Sequence, residues 1–127
     1  MSFRFSKRSL SNLEGVHPDL VAVAKMALGL SPVDFVVIDG LRTIEEQKIL
    51  VAKGKSRTLD SRHLTGHAID VAAYVNNGIS WDFAPYEQIA AAFEIASGRL
   101  KVPLVCGINW ASFVDAGHFE LDRGAYP

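Results

Sequence analysis

The sequence predicts an α+β fold, a small, mainly antiparallel sheet packed with about three helices in a single domain over residues 1–127. Short β-branched runs and helix-spaced apolar residues are interspersed without the regular strand–helix alternation of a parallel sheet. A strong turn signal, Asn76-Asn77-Gly78, separates two strand-like runs. Apolar residues make up 49% of the 127 positions and charged residues 21%, enough apolar material for one hydrophobic core.

Taken in order, Arg4, Lys7 and Arg8 form a small basic cluster in what reads as a solvated, frayed N-terminus. His17-Pro18-Asp19 opens a helix, with Pro18 near the first turn, where its missing N–H costs little. Leu20, Val23, Ala24, Ala27 and Leu28 fall on one face of that helix, and Gly29 with Ser31-Pro32 closes it. Residues 35–38 read as a buried strand ended by Asp39-Gly40. Thr43 can cap a second helix, with Glu45 and Glu46 near the positive end of its dipole; it extends to Lys53 and stops at Gly54.

Residues 54–62 are polar and read as an exposed loop, 68–74 as a strand, and 79–81 as its short return. A third helix over 85–98 turns Ile89, Ala92, Phe93 and Ala96 inward, and Leu104–Cys106 and His118–Leu121 complete the sheet.

Several function classes are disfavoured. Thirteen basic against fourteen acidic residues, net charge −1, do not suggest a nucleic-acid partner. The one cysteine, Cys106, excludes an intrachain disulfide and a cysteine-rich zinc site, and its apolar surroundings read as core. No apolar segment follows the N-terminal charges, so no signal peptide is expected. The apolar stretch 20–30 is too short to span a bilayer and contains Lys25, so no membrane insertion is expected.

The chemistry concentrates in residues 61–71, Ser-Arg-His-Leu-Thr-Gly-His-Ala-Ile-Asp-Val, and 115–121, Asp-Ala-Gly-His-Phe-Glu-Leu. His63, Asp70 and His118 offer two imidazoles and a carboxylate, an accepted ligand set for catalytic zinc that leaves a position open. Strand alternation puts Asp70 opposite Ile69 and Val71, and His118 with Glu120 opposite Phe119 and Leu121. Gly66 permits a turn that brings His63 back over Asp70. Residue types alone do not decide the matter, because two histidines and two aspartates in a domain this size are more often unrelated.

The pattern Ser61-x-His63-x-x-Gly66-x-Ala68-x-Asp70 resembles the signature of the zinc D-Ala-D-Ala-carboxypeptidase superfamily. Asp115-x-x-His118 is similar to that superfamily's second half, and Gly40-Leu41-Arg42-Thr43 to its upstream arginine motif. The opening Met-Ser-Phe-Arg-Phe-Ser-Lys-Arg-Ser and the order of motifs resemble the short phage endolysin branch of L-alanyl-D-glutamate peptidases. Two departures stand out. Gly107-Ile108-Asn109-Trp110 replaces the branch's Gly-x-Asp-Trp, and the loop from Trp110 to Asp115 is short.

The resemblance implies Zn2+ held by His63, Asp70 and His118, with Asp115 as catalytic base. It implies that Arg42 contacts substrate or the developing oxyanion. His67 is a second candidate ligand, but Gly66 and the following strand argue against the helix that a His-x-x-x-His pair needs. Glu120 reads either as a partner orienting a ligand histidine or as a plain strand residue, and Ser61 as a cap rather than a nucleophile. His17 reads as structural; Trp81, Trp110 and Tyr74 could line a cleft, with core packing the default for each; the Gln47 and Glu46 region could neighbour Arg42 through the helix start but is not relied on.

The implied function is zinc-dependent cleavage of peptidoglycan stem peptides between L-alanine and D-glutamate by a phage endolysin, causing host lysis. Such an enzyme would act as a monomer, wait in the host cytoplasm and reach the cell wall after a holin opens the membrane. One catalytic domain would use all 127 residues, leaving no separate wall-binding domain. The alternatives are a D-Ala-D-Ala carboxypeptidase or dipeptidase with the same site, and a non-catalytic zinc- or peptidoglycan-binding module.

Overall fold

In the computed structural model, which describes residues 3–127, the helices are α1 (Lys7–Asn12), α2 (Pro18–Leu30), α3 (Ile44–Ala52) and α4 (Phe83–Leu100). The strands are β1 (Asp34–Asp39), β2 (Ala68–Val75), β3 (Gly78–Ser80), β4 (Leu104–Cys106) and β5 (His118–Leu121). Single turns of tighter helix cover Arg62–Thr65 and Gly107–Asn109. Met1 and Ser2, which open the stretch resembling the endolysin branch, lie outside the described residues.

All strand pairs are antiparallel, in the order β1-β2-β5-β4. The central β2 pairs with β1 on one edge. Its other edge is shared: Ala68, Ile69 and Asp70 face Glu120, Phe119 and His118, while Ala73 to Val75 face β3. Asn76 and Asn77 join β2 to β3 with φ of 51° and 66°, the two positive values that a tight two-residue hairpin turn requires.

β1 carries a bulge. Val37 pairs with Val71, but Asp39 pairs with Asp70, so Ile38 is an extra residue in the ladder. Without it, strand alternation would turn Asp39 to the opposite face.

One sheet face, with Phe35, Val37, Ile69, Val71, Phe119 and Leu121, packs against α2 and α4. Phe93 of α4 stacks on Phe119 at 3.7 Å between ring centroids and meets Phe35 at 5.5 Å. The helix residues expected to point inward, Leu20, Val23, Ala24, Ala27, Leu28, Ile89, Ala92, Phe93 and Ala96, are all buried. The opposite sheet face carries Asp70, His118 and Glu120.

The expected elements are present, with differences that have physical causes. α2 continues through Gly29 to Leu30, and α4 begins at Phe83. Thr43 caps α3 as read, in a capping box with Glu46. Arg62 is not part of an exposed loop: it is buried, and its guanidinium donates to the carbonyls of Leu121 (3.3 Å) and Tyr126 (2.5 Å).

The basic N-terminus is not frayed over its whole length but forms α1, capped by Ser6 and packed on β1. Two α1 side chains satisfy backbone groups of the edge strand β1. The Val37 N–H donates to Ser9 Oγ at 2.9 Å, and Asn12 Nδ2 donates to the Val37 carbonyl at 2.8 Å. Ser9 is fully buried, so Ser9→Ala orphans the Val37 N–H. Urea unfolding of that variant should show a loss of about 1–3 kcal/mol.

Candidate metal centre and cleft

The turn Arg62–Thr65 places His63. Ser61 caps it by accepting from the His63 N–H at 3.2 Å, and Gly66 ends it in the left-handed conformation, φ 73°. A Cβ at Gly66 would collide with the Gly15 carbonyl, and one at Gly40 with the Asn12 carbonyl, so both backbones approach closer than any side chain permits. The Gly40 carbonyl accepts from His63 Nδ1 at 2.8 Å, which leaves Nε2 facing Asp70 Oδ2 at 3.2 Å.

His118, directly opposite Asp70 in the ladder, brings Nδ1 to 2.9 Å from Asp70 Oδ1. Its Nε2 is held by Glu120 Oε1 at 2.8 Å. Each imidazole is thus anchored through one nitrogen and turns the other toward the same carboxylate. One donor atom from each of His63, Asp70 and His118 lies within 4.8 Å of the others, so the group could hold a metal ion. In a tetrahedral zinc site with bonds near 2.0–2.1 Å, ligand atoms sit roughly 3.3 Å apart. The separations of 3.2 Å from Asp70 to His63 and 2.9 Å from Asp70 to His118 are near that spacing, and the donor types suit that ion. His67 stands outside this group, bonded to Thr65 Oγ1 at 2.6 Å and facing the His17 ring.

Burial opposes the charge on Asp70, but hydrogen bonds from His118 and His63 outweigh it and hold the carboxyl far below the ordinary range. Burial also opposes the charge on His118, yet bonding to Asp70 and Glu120 raises it to about 9. The His118 ring is thus clasped between two carboxylates.

Asp115 is held beside the group by backbone bonds: its N–H donates to the Gly107 carbonyl, and its own carbonyl accepts from the His118 N–H. It remains open to solvent, while burial of its carboxyl and then the nearby Asp70 charge raise its pKa against the pull of His118 and His63.

Arg42 lies on the wall of the same cleft. Its Nε and Nη2 donate to Asp39 Oδ2, and Nη1 donates to Gln47 Oε1 at 2.6 Å. Nη2 is also 3.5 Å from Asp70 Oδ2. Gln47, fully buried in α3, donates in turn to Ser56 Oγ and the Thr58 carbonyl, tying the 54–60 loop to Arg42. Gln47 does neighbour Arg42, as the start of α3 allowed, whereas Asp39 was missed as a site residue. Asp39 reaches the site through the bulge, and the only sequence hint was its position three residues before Arg42.

The metal group, Asp115 and Arg42 line one cleft of about 640 Å³. Trp110 lines it too, its ring centroid 5.1 Å from that of His118, rather than packing in the core. Asn109, the departure from the expected Asp, donates to Glu94 of α4 at 3.3 Å and is not among the cleft residues. Cys106 is buried, and burial pushes its thiol up to about 12, which suits an inert core residue. His17 is structural, accepting from the Asp19 N–H at the start of α2.

The family model for phage L-alanyl-D-glutamate peptidases matches residues 1–126. The L-alanyl-D-glutamate peptidase of Escherichia phage T5 is 41% identical over 130 aligned residues, covering 99% of this chain and 94% of the relative. The chain belongs to the phage L-alanyl-D-glutamate peptidase family. Family membership agrees with the fold: the crystal structure of the Serratia marcescens L-Ala D-Glu endopeptidase ChiX superposes with a TM-score of 0.93 at 44% identity, covering 99% of this chain and 95% of that one. The L-alanyl-D-glutamate peptidase of Listeria phage A118 is 26% identical, and this chain spans 45% of its length.

Three outcomes are expected. Metal entry would displace the His118 proton, so metal affinity should rise with pH up to about 9 and then level. Titration calorimetry in buffers of different ionisation enthalpy should detect that proton. Between the ordinary histidine value of 6.5 and about 9, the protein without metal should lose stability, because the raised pKa favours the folded state only while His118 is protonated. Glu120→Ala, which frees the His118 ring, should weaken metal binding about 10–100-fold in a chelator competition.

Proposed function

We propose that this chain is a zinc-dependent endopeptidase that hydrolyses the L-alanyl–D-glutamate bond of peptidoglycan stem peptides. The observation that carries the reading is the convergence of His63 Nε2, the Asp70 carboxylate and His118 Nδ1 at one point of a cleft, in a chain belonging to this peptidase family. Those three side chains would hold the metal. When bound, zinc supplies a Lewis acid that polarises a carbonyl and lowers the pKa of water toward roughly 7.

The remaining steps fall to the chain's own residues. Asp115 is the general base. Its carboxylate takes a proton from the attacking water and returns it to the nitrogen of the departing D-glutamate, and its raised pKa favours holding that proton between the two events. Glu120 fixes the orientation of the His118 ring through Nε2. Arg42 has five N–H donors, of which Asp39 and Gln47 engage three. Clamped this way, it can offer the remaining N–H groups to an oxyanion or a substrate carboxylate without first becoming ordered.

The same reading makes the protein a phage endolysin, one catalytic domain acting as a monomer on the cell wall of the host after a holin admits it from the cytoplasm. None of the described helices is long and apolar enough to cross a membrane.

Mass spectrometry of purified peptidoglycan digested with zinc-loaded protein, beside a chelated control, tests the bond. Peptides bearing a new D-glutamate amine are expected. Release of terminal D-alanine would instead make the enzyme a carboxypeptidase, and absence of any cleavage with zinc bound would leave a binding module. Asp115→Ala should retain stoichiometric zinc and lose about 10²–10⁴-fold in kcat. Full hydrolysis by that variant would remove Asp115 from the base role.

A further inference from the structure

Two clefts, not one, meet at the metal group. The larger cleft and a second one of about 250 Å³ share Ile38, Asp70 and Asp115 as common walls, so these residues form the saddle between them. A peptide whose scissile carbonyl sits at the saddle would extend one half into each.

The two sides differ in charge. In the larger cleft Arg42 is paired with Asp39 and Arg123 with Asp60, while Arg62 is spent on backbone carbonyls. Lys55 and Arg57 line the same wall, and among the described residues neither has a carboxylate partner. The Arg57 guanidinium is held over the Phe113 ring, 4.5 Å from its centroid, which keeps the cation at the cleft.

The smaller cleft holds no charged residue beyond the two shared aspartates. Trp81, Phe83, Tyr86 and Val114 line it. The Tyr86 hydroxyl is already used, donating to the Ser80 carbonyl and accepting from the Ala73 N–H. Trp81 is 72% exposed, and its ring is parallel to that of Tyr86 within 8°, a flat apolar platform open to solvent.

The substrate of the proposed reaction is divided in the same way. The L-alanyl half offers a methyl group and an acylated nitrogen, with no charge, whereas the D-glutamyl half keeps a carboxylate that the scissile bond does not use. We infer that the substrate lies across the saddle in one direction. The acyl-L-alanyl half sits on the Trp81 platform, and the D-glutamyl carboxylate sits against Lys55 and Arg57. The inference rests on the L-alanyl–D-glutamate reading above.

Three synthetic peptides test it with zinc-loaded enzyme: N-acetyl-L-alanyl-D-glutamyl peptide, the same peptide with the free carboxylate replaced by a carboxamide, and the unacetylated form. Wild type should prefer the carboxylate over the carboxamide roughly fivefold to tenfold in kcat/KM, mostly through KM. The double variant Lys55→Gln/Arg57→Gln should bring that preference below about twofold, with kcat little changed.

Trp81→Ala should leave the carboxylate preference intact and instead erase the advantage of the acetylated peptide over the unacetylated one. All three positions are exposed, so thermal unfolding of the variants should match wild type. A wild type indifferent to the carboxylate, a double variant that keeps the preference, or a Trp81 variant that loses it would overturn the orientation. Failure of wild type to cut any of the three would instead overturn the bond assignment itself.

Discussion

The site depends on the register of β2 at one residue. Asp70 has Asp39 opposite it on one neighbouring strand and His118 opposite it on the other, so three chemically active residues form a row across the sheet. Side chains alternate with a period of two, and a slip by one residue would turn Asp70 into the core and bring Ile69 into the cleft. The register is secured from the other face, where Ile69, Val71, Phe119 and Leu121 are buried against α2 and α4. Packing on one side of the sheet thereby fixes the geometry of the candidate ligands on the other.

Burial of so much charge requires compensation, and the charges are arranged in an unbroken chain. Glu120 bonds His118, His118 bonds Asp70, Asp70 lies beside the Arg42 guanidinium, and Arg42 bonds Asp39 and Gln47. An isolated carboxylate with Asp70's burial would be driven toward its neutral form. Here the cationic partners keep it ionised, which is the form a metal ligand needs. Gln47 extends the chain to the 54–60 loop, so the cleft wall that carries Lys55 and Arg57 is anchored by the same network as the ligands.

Much of this was legible in the sequence because the residues involved sit in strong local patterns. His63 and Asp70 lie within one spaced motif, Asp70 and His118 lie on strands of alternating apolar residues, and the structure brings the donor atoms of all three together. The Asn-Asn-Gly hairpin and the capping box at Thr43 depend on neighbours a few residues apart and were readable for that reason.

What was not legible depends on distant contacts. α1 is six residues long and gains its place from Ser9 and Asn12 bonding the edge of β1, some 25 residues away in the chain. Asp39 faces the site only because Ile38 is an extra residue in the ladder, and no local pattern announces a bulge. Arg62 looked like a loop cation because the carbonyls that bury it belong to residues 121 and 126.

The clasp around the His118 ring has a consequence for how the site assembles. Many small metal sites are unfolded until the ion arrives, because the ligands have nothing else to hold them together. Here the chain's own hydrogen bonds hold the cradle: Asp70 and Glu120 grip the His118 ring from either side, and the Gly40 carbonyl grips His63. The cradle is therefore a product of folding itself, built by the same contacts that order the sheet, and its shape is written into the chain.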